Sequence, residues 1–380
     1  MDNSTAGRLS VAGPTVVHMT QQGVEKQTSG GPADPEAARR RAERRERRVT
    51  TGVTELEQRL ADLLRGGLAS AEQAGYALWD ETAARMVDAQ APGLATKVRE
   101  LGAIPASGPG WPARLLEECA LLHLLGQGWL HRDRLPDALA ATVRSRLGLP
   151  ASAEGPPLRD HWLVLAQYDT ADPKLTVRRI WLHGTGSGRT RLLLSYGAAG
   201  RAPELSLPVG HTLEADLTVF PGAGQLRAAL GERYTPPAPA TTRPEGLTTA
   251  QAAARYGDAL REDPWLDTVP VTLEAVVPVP DERPGAWQLA DAETKSAEAE
   301  SRPAPVDPGA GPPGVGPGTD APEATSALPL TPTFLTRPAL WRLIALSGGI
   351  PLTVFGELGH RGFTPLTAWP AHPGTPVPLH

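Results

Sequence analysis

The sequence predicts an α+β protein, an N-terminal helical bundle module followed by a β-rich module, on three observations. Apolar residues recur at spacings of three and four up to about residue 150, runs of strand length follow a Gly/Pro break at 155–157, and a tract dense in proline and glycine interrupts the second half. The expected organisation is a disordered tail over 1–33, a helical domain over 34–150, a β-rich domain over 151–290, a Pro/Gly-rich linker over 291–333, and C-terminal strands over 334–380 that complete the β-rich domain.

Asp34, Pro35 and Glu36 read as an N-cap, a proline at the first helical position and an acid near the positive end of the helix dipole. The helix they open runs through an arginine-rich stretch. Beyond it Val53, Leu56, Leu60, Leu63 and Leu64 lie on one face of an amphipathic helix ending near Gly66 and Gly67. Ser70 and Gln73 form a candidate capping box for the next helix, and further helices open at Pro92 and Pro112 and after Pro136, the last stopping near Gly148. Short connections between them favour a bundle.

Strand candidates are His161–Tyr168, Thr176–His183, Arg191–Tyr196, Leu205–Val209 and Thr212–Phe220, then Val269–Val279 after a short helix near 249–261. In the linker, 11 of the 16 residues from Pro303 to Gly318 are proline or glycine, which excludes a packed core there. Leu340–Leu346, Pro351–Glu357 and Phe363–Trp369 read as short strands joined at Ser347-Gly348-Gly349 and His360-Arg361-Gly362. Three short strands alone are marginal, so they are expected to dock on the preceding β layer. No internal repeat of fixed period is visible.

Composition removes several function classes. One cysteine in 380 residues, Cys119, allows neither a disulfide framework nor a zinc site with two thiolates, and it suits a reducing, cytoplasmic setting. No run of 18 apolar residues marks a membrane span, and a net charge of −5 supplies no global attraction to nucleic acid. Arginine greatly outnumbers lysine, as in proteins from GC-rich bacterial genomes.

Local constellations remain. Arg39, Arg40, Arg41, Arg44, Arg45, Arg47 and Arg48 could track phosphates, although Glu43 and Arg47 at i,i+4 favour a solvated helix laced with ion pairs. Gly184-Thr185-Gly186-Ser187-Gly188-Arg189-Thr190 has the glycine density of a phosphate loop, but Arg189 stands where that motif needs glycine before lysine, so a hairpin turn is the expectation. Cys119 and His123 share a helix face and could supply a thiolate and its base, while their leucine neighbours favour core roles. Trp162, Trp181 and Trp341 sit in apolar patterns and are expected to be core.

Four segments, Pro32–Val49, Leu56–Ala69, Gly108–Glu118 and Leu346–Glu357, resemble the region downstream of the zinc finger in actinobacterial SWIM zinc-finger family proteins. In that family a Cys-x-Cys…Cys-x-His element credited with DNA or protein binding precedes the arginine-rich helix. One cysteine cannot build it, so no metal ligand carries over and no cofactor is expected. The chain is then either a zinc-free paralogue or the part behind a finger. The resemblance implies a non-catalytic interaction or accessory role beside a protein partner, with AAA+ ATPases and von Willebrand A type proteins as the implied company. Two alternatives stand beside it: nucleic-acid binding through Arg40, Arg41, Arg44, Arg45, Arg47 and Arg48, and a hydrolase using Cys119 and His123.

Overall fold

The computed structural model describes residues 35–171, 175–198, 200–292, 326–370 and 374–380. The expected tail and most of the expected linker lie outside them. The chain forms two compact units. One takes the chain up to Glu154 together with Phe220–Gln225 and Asp263–Trp265, and the other takes Gly155–Val219, Leu226–Glu262 and Leu266–His380.

The first unit is helical. Its helices are α1 (Pro35–Gly66), α2 (Ala69–Asp88), α3 (Pro92–Leu101), α4 (Trp111–Leu130) and α5 (Asp137–Arg146). The arginine-rich and amphipathic stretches are one helix of 32 residues. Its second half buries Val49, Val53, Leu56 and Leu60 against Met86, Leu94, Val98, Leu115, Leu122, Leu125 and Trp129. Each such side chain contributes about 1.5–3 kcal/mol through burial. Gly67, at φ 85°, turns the chain so tightly that α2 begins at Ala69 with Leu68 already in helical geometry at its cap. Ser70 therefore falls inside the helix rather than at its cap. Gly93 lies where any Cβ would strike the backbone of Arg146 and Leu147, which lets α3 close against the end of α5.

Two distant segments complete this unit. Trp265 is 7% exposed within the helical core, and its indole N–H donates to the Leu121 carbonyl at 2.9 Å. Arg146 pairs with Asp263 at 2.8 Å, and the Ala223 amide donates to Thr142 Oγ1 at 2.8 Å.

The second unit contains two small barrels. In the first, β1 (Leu158–Ala171), β2 (Leu175–Gly184), β3 (Thr190–Ala198), β4 (His211–Val219) and β5 (Arg227–Arg233) pair in the order β1-β2-β3-β5-β4, and β4 returns to β1. Only β3 and β5 run parallel. The first half of β1 pairs with β4 and the second with β2, and a register shift between Val164 and Ala166 bends the strand from one to the other. The short β6 (Ala238–Pro239) adds to the β4 edge. Leu205–Val209 is not a strand; it packs irregularly, with Leu207 fully buried and its amide bonded to Gln167.

The second barrel repeats this plan. After α6 (Thr249–Glu262) come β7 (Thr268–Pro280), β8 (Trp287–Asp291) and β9 (Ala327–Pro329), then α7 (Pro332–Leu335), α8 (Pro338–Ser347), β10 (Leu352–Gly359), β11 (Gly362–Trp369) and β12 (Val377–Pro378). β7 pairs with β10 through its first half and with β8 through its second, and Ala275, at φ 51°, marks its bend. A parallel bridge between Leu330 and Phe363 joins the β9 end to β11. Counted from one to five, the strands of both barrels read 1-2-3-5-4-1 with strand three parallel to strand five, the Greek-key order of OB-type barrels. The repeat escaped the sequence because the strand spacings differ: the segment between Asp291 and Ser326 separates β8 from β9, and α7 and α8 stand where the first barrel has irregular chain.

Of the C-terminal strands, β10 pairs with β7, and two corrections follow. Ala327–Pro329 lies within the expected linker and is a strand. Leu340–Leu346 is helical: Pro338 sits in its first turn, and Ala339, Leu340, Leu343 and Ser347 are buried at helical spacing. Ser347-Gly348-Gly349 is then a helix end rather than a hairpin, with Gly348 left-handed at φ 50° and its amide on the Ile344 carbonyl.

The barrels pack face to face. Leu163, Leu165, Ala166, Trp181 and Leu192 of the first meet Phe355, Leu366 and Trp369 of the second. Glu357 Oε1 accepts from Tyr168 Oη at 2.7 Å and from Trp181 Nε1 at 2.9 Å, which satisfies both polar tips within the contact.

Candidate functional site

Along α1 the apolar stripe that begins at Val49 has no continuation toward the N-terminus, and there the arginines take over. The side chains from Glu36 to Arg44 are exposed except that of Ala37, and Arg47 and Arg48 are exposed as well. Seven arginines against three glutamates give residues 36–48 a local charge of +4 in a chain of −5.

The arginines divide by what they touch. Arg45 is half-buried and its Nε donates to Gln90 Oε1 at 3.3 Å, so it braces α1 against the end of α2. Arg40 pairs with Glu36 at 3.3 Å. Glu46 is held by Arg144 at 2.8 Å and by Arg132 at 3.8 Å, and Arg132 also lies over the Trp129 ring at 4.5 Å. The expected Glu43–Arg47 pair is not formed. Arg41, Arg44, Arg47 and Arg48 have no acidic partner among the described residues. Two open hollows flank the helix and share Arg47 and Thr51. One is lined by Glu43, Glu46, Thr50 and Arg132, and the other by Arg48, Glu55, Arg85 and Asp88.

Cys119 and His123 are not brought together. Cys119 is 2% exposed, and burial, helped by Glu118, pushes its thiol up to about 11. His123 faces outward with Nδ1 2.6 Å from Glu57 Oε2, which also accepts from Gln127 Nε2 at 2.8 Å. Among the described residues no group of three potential ligands could hold a metal ion.

The glycine-rich segment is the β2–β3 turn, and its amides are already occupied. Asp160 Oδ1 accepts from the His161 and Gly186 amides at 2.7 and 3.0 Å, and Oδ2 accepts from the Ser187 amide at 2.9 Å. A Cβ at Gly184 would collide with this carboxylate. An internal anion thus fills the nest that a phosphate would need. Trp162 and Trp181 are buried as expected, but Trp341 is 66% exposed, edge-on to Trp287 at 6.4 Å, because α8 turns it away from the barrel.

Residues 44–147, covering most of the helical unit, match the family model of the SWIM-associated four-helix bundle domain. This supports a relation to the SWIM family. The matched region begins at Arg44, so the more N-terminal arginines precede it. No curated protein and no solved structure matches the chain.

Sequence reading did not find Asp160, Trp265 or Glu357 as organising residues. Asp160 beside a strand and Trp265 beside Pro264 carry only the weak signal of a polar or aromatic residue at the edge of an apolar run.

Proposed function

We propose that this chain is a non-catalytic interaction or accessory protein, and that the projecting arginines of α1 dock an acidic surface of a protein partner. The observation that carries this reading is the exposed set Arg41, Arg44, Arg47 and Arg48, which no acid of the described chain neutralises. A cationic helix face fixed on a rigid bundle is pre-organised for such a contact, since only side chains must be ordered on binding. The non-catalytic part rests on the separation of Cys119 from His123 and on the occupied glycine turn. The relation to the SWIM family makes AAA+ ATPases and von Willebrand A type proteins the partners to try first.

A second reading, nucleic-acid binding through the same helix, is favoured by the same unpaired guanidinium groups. The two separate in one experiment. The full chain and its R41A/R44A/R47A/R48A variant are titrated against a purified candidate partner and against duplex DNA at several salt concentrations. The first reading expects partner binding to weaken at least about tenfold in the variant, as for loss of a few charge-assisted contacts. The second expects DNA binding with a steep salt slope that falls by roughly 0.9 per contact removed. Partner binding untouched by the four substitutions refutes the docking surface.

A further inference from the structure

The outer side of α8 carries an apolar stripe. Trp341 is 66% exposed, Pro338 one turn before it and Ala345 one turn after it are exposed as well, and Ile344 is half-buried beside them. Trp341 stands edge-on to the half-buried Trp287, the first residue of β8, whose register partner on β7 is the exposed Pro280. Among the described residues neither indole N–H has a hydrogen-bond acceptor. Two rings with free donors on an apolar surface suit a proline-rich chain. Its pyrrolidine rings pack on aromatic faces, and its carbonyls accept from the indoles, while proline itself offers no competing N–H.

Such a chain is tethered next to this face. Residues 293–325 join β8 to β9, and within them Pro303–Gly318 holds six prolines, five glycines and a single charge, Asp307. Both ends of the connection are fixed at one place. Ala290 pairs with Ala327, and Thr249 draws the strand ends together, its amide donating to Asp291 Oδ1 at 3.0 Å and its hydroxyl to the Ser326 carbonyl at 2.8 Å. Trp287 lies four residues back along β8, about 13 Å away. The proline-dense stretch starts 12 residues after Asp291 and ends eight before Ser326. Arms of those lengths reach roughly 20 and 16 Å even as random coil, enough to lay the stretch across both rings. We propose that Pro303–Gly318 docks on the Trp287–Trp341 face of the second barrel of the same molecule. This surface is separate from the arginines of α1.

The test reads the indole N–H signals of the 15N-labelled full chain by NMR, with W287F and W341F identifying the two resonances. The wild type is compared with a variant in which residues 303–318 are replaced by glycine and serine at equal length. The expected result is that both signals move in the replaced variant and return toward their wild-type positions, saturably, when a synthetic peptide of Pro303–Gly318 is added. A tether of this length supplies an effective concentration on the order of 1 mM, so a stretch that holds the face in place has a Kd for the free peptide no weaker than about 1 mM. The same peptide should move the wild-type signals at least about fivefold less, because the face is already occupied. If W287F does not fold, the Trp341 signal alone decides. Signals that coincide in the wild type and the replaced variant, no response of the replaced variant to about 5 mM peptide, some five times that Kd, or equal responses of both proteins to it, overturn the assignment; the last outcome means a face open to a proline-rich chain of another molecule.

Discussion

Replacing Asp160 by asparagine tests whether an internal carboxylate organises the β2–β3 turn. The side chain is 8% exposed and receives three backbone amides across its two oxygens. Hydrogen bonds to a charged acceptor contribute about 1.5–3 kcal/mol each, roughly twice the neutral value. Asparagine can keep its carbonyl on the His161 and Gly186 amides, at about half the strength, but then points an N–H at the Ser187 N–H. Losing one charged bond and halving two costs about 3–6 kcal/mol, which lowers the melting temperature of a unit of this size by roughly 6–24 °C. The assay is scanning calorimetry of both proteins between pH 3 and pH 7.

The pH dependence carries the stronger test. Burial pushes the Asp160 carboxyl up, but bonds from the Ser187 hydroxyl and from the Gly186, Ser187 and His161 amides outweigh it and hold the group below its usual value. A carboxylate depressed in the folded state stabilises above its unfolded pKa, about 3.9, and the contribution disappears as pH falls through the folded value. The gap between wild type and D160N should be constant from pH 7 to about 5 and shrink below pH 4. A gap under 0.5 kcal/mol at pH 7, or one that widens in acid, refutes the reasoning.

Two further outcomes follow from the helical unit. Trp265→Ala removes an indole buried between α4 and α5 together with its hydrogen bond to the Leu121 carbonyl, so it should cost about 3–5 kcal/mol, seen as an earlier helical transition by far-UV circular dichroism. The Cys119 thiol, pushed up to about 11 by burial, should react with a disulfide reagent at neutral pH only as the unit opens, at a rate that rises with denaturant. Rapid labelling of the native protein would count against that burial.

Much of the helical unit is legible because its signal is local. Val53, Leu56 and Leu60 lie within two turns, and Pro92, Pro112 and Pro136 place helix starts without reference to anything distant. The strands are legible as strands, but their order is not. Pairing β1 with β4 or β7 with β10 joins segments whose partners are chosen by three-dimensional closure, and alternation alone cannot name them. Leu340–Leu346 shows the limit of periodicity, since a short apolar run fits a strand or a helix equally until Pro338 and Gly348 are weighed. The arginines were visible as a set. Only the structure separates Arg45, which braces Gln90, from Arg41, Arg44, Arg47 and Arg48, because neighbours from α2 and α5 decide which charges are spent.

Trp265 also bears on the order in which the chain folds. Domains emerging from the ribosome tend to fold from the N-terminus onward. Here the helical unit comes first in the sequence, yet its core takes one large side chain and an ion pair from residues 263–265, which follow all five strands of the first barrel. The bundle can form early as an open-sided intermediate, but its last layer arrives only after that barrel has been synthesised. Maturation of the N-terminal unit is therefore tied to a segment made more than a hundred residues later, and a stall or truncation before residue 263 would leave an apolar seam on α4 uncovered.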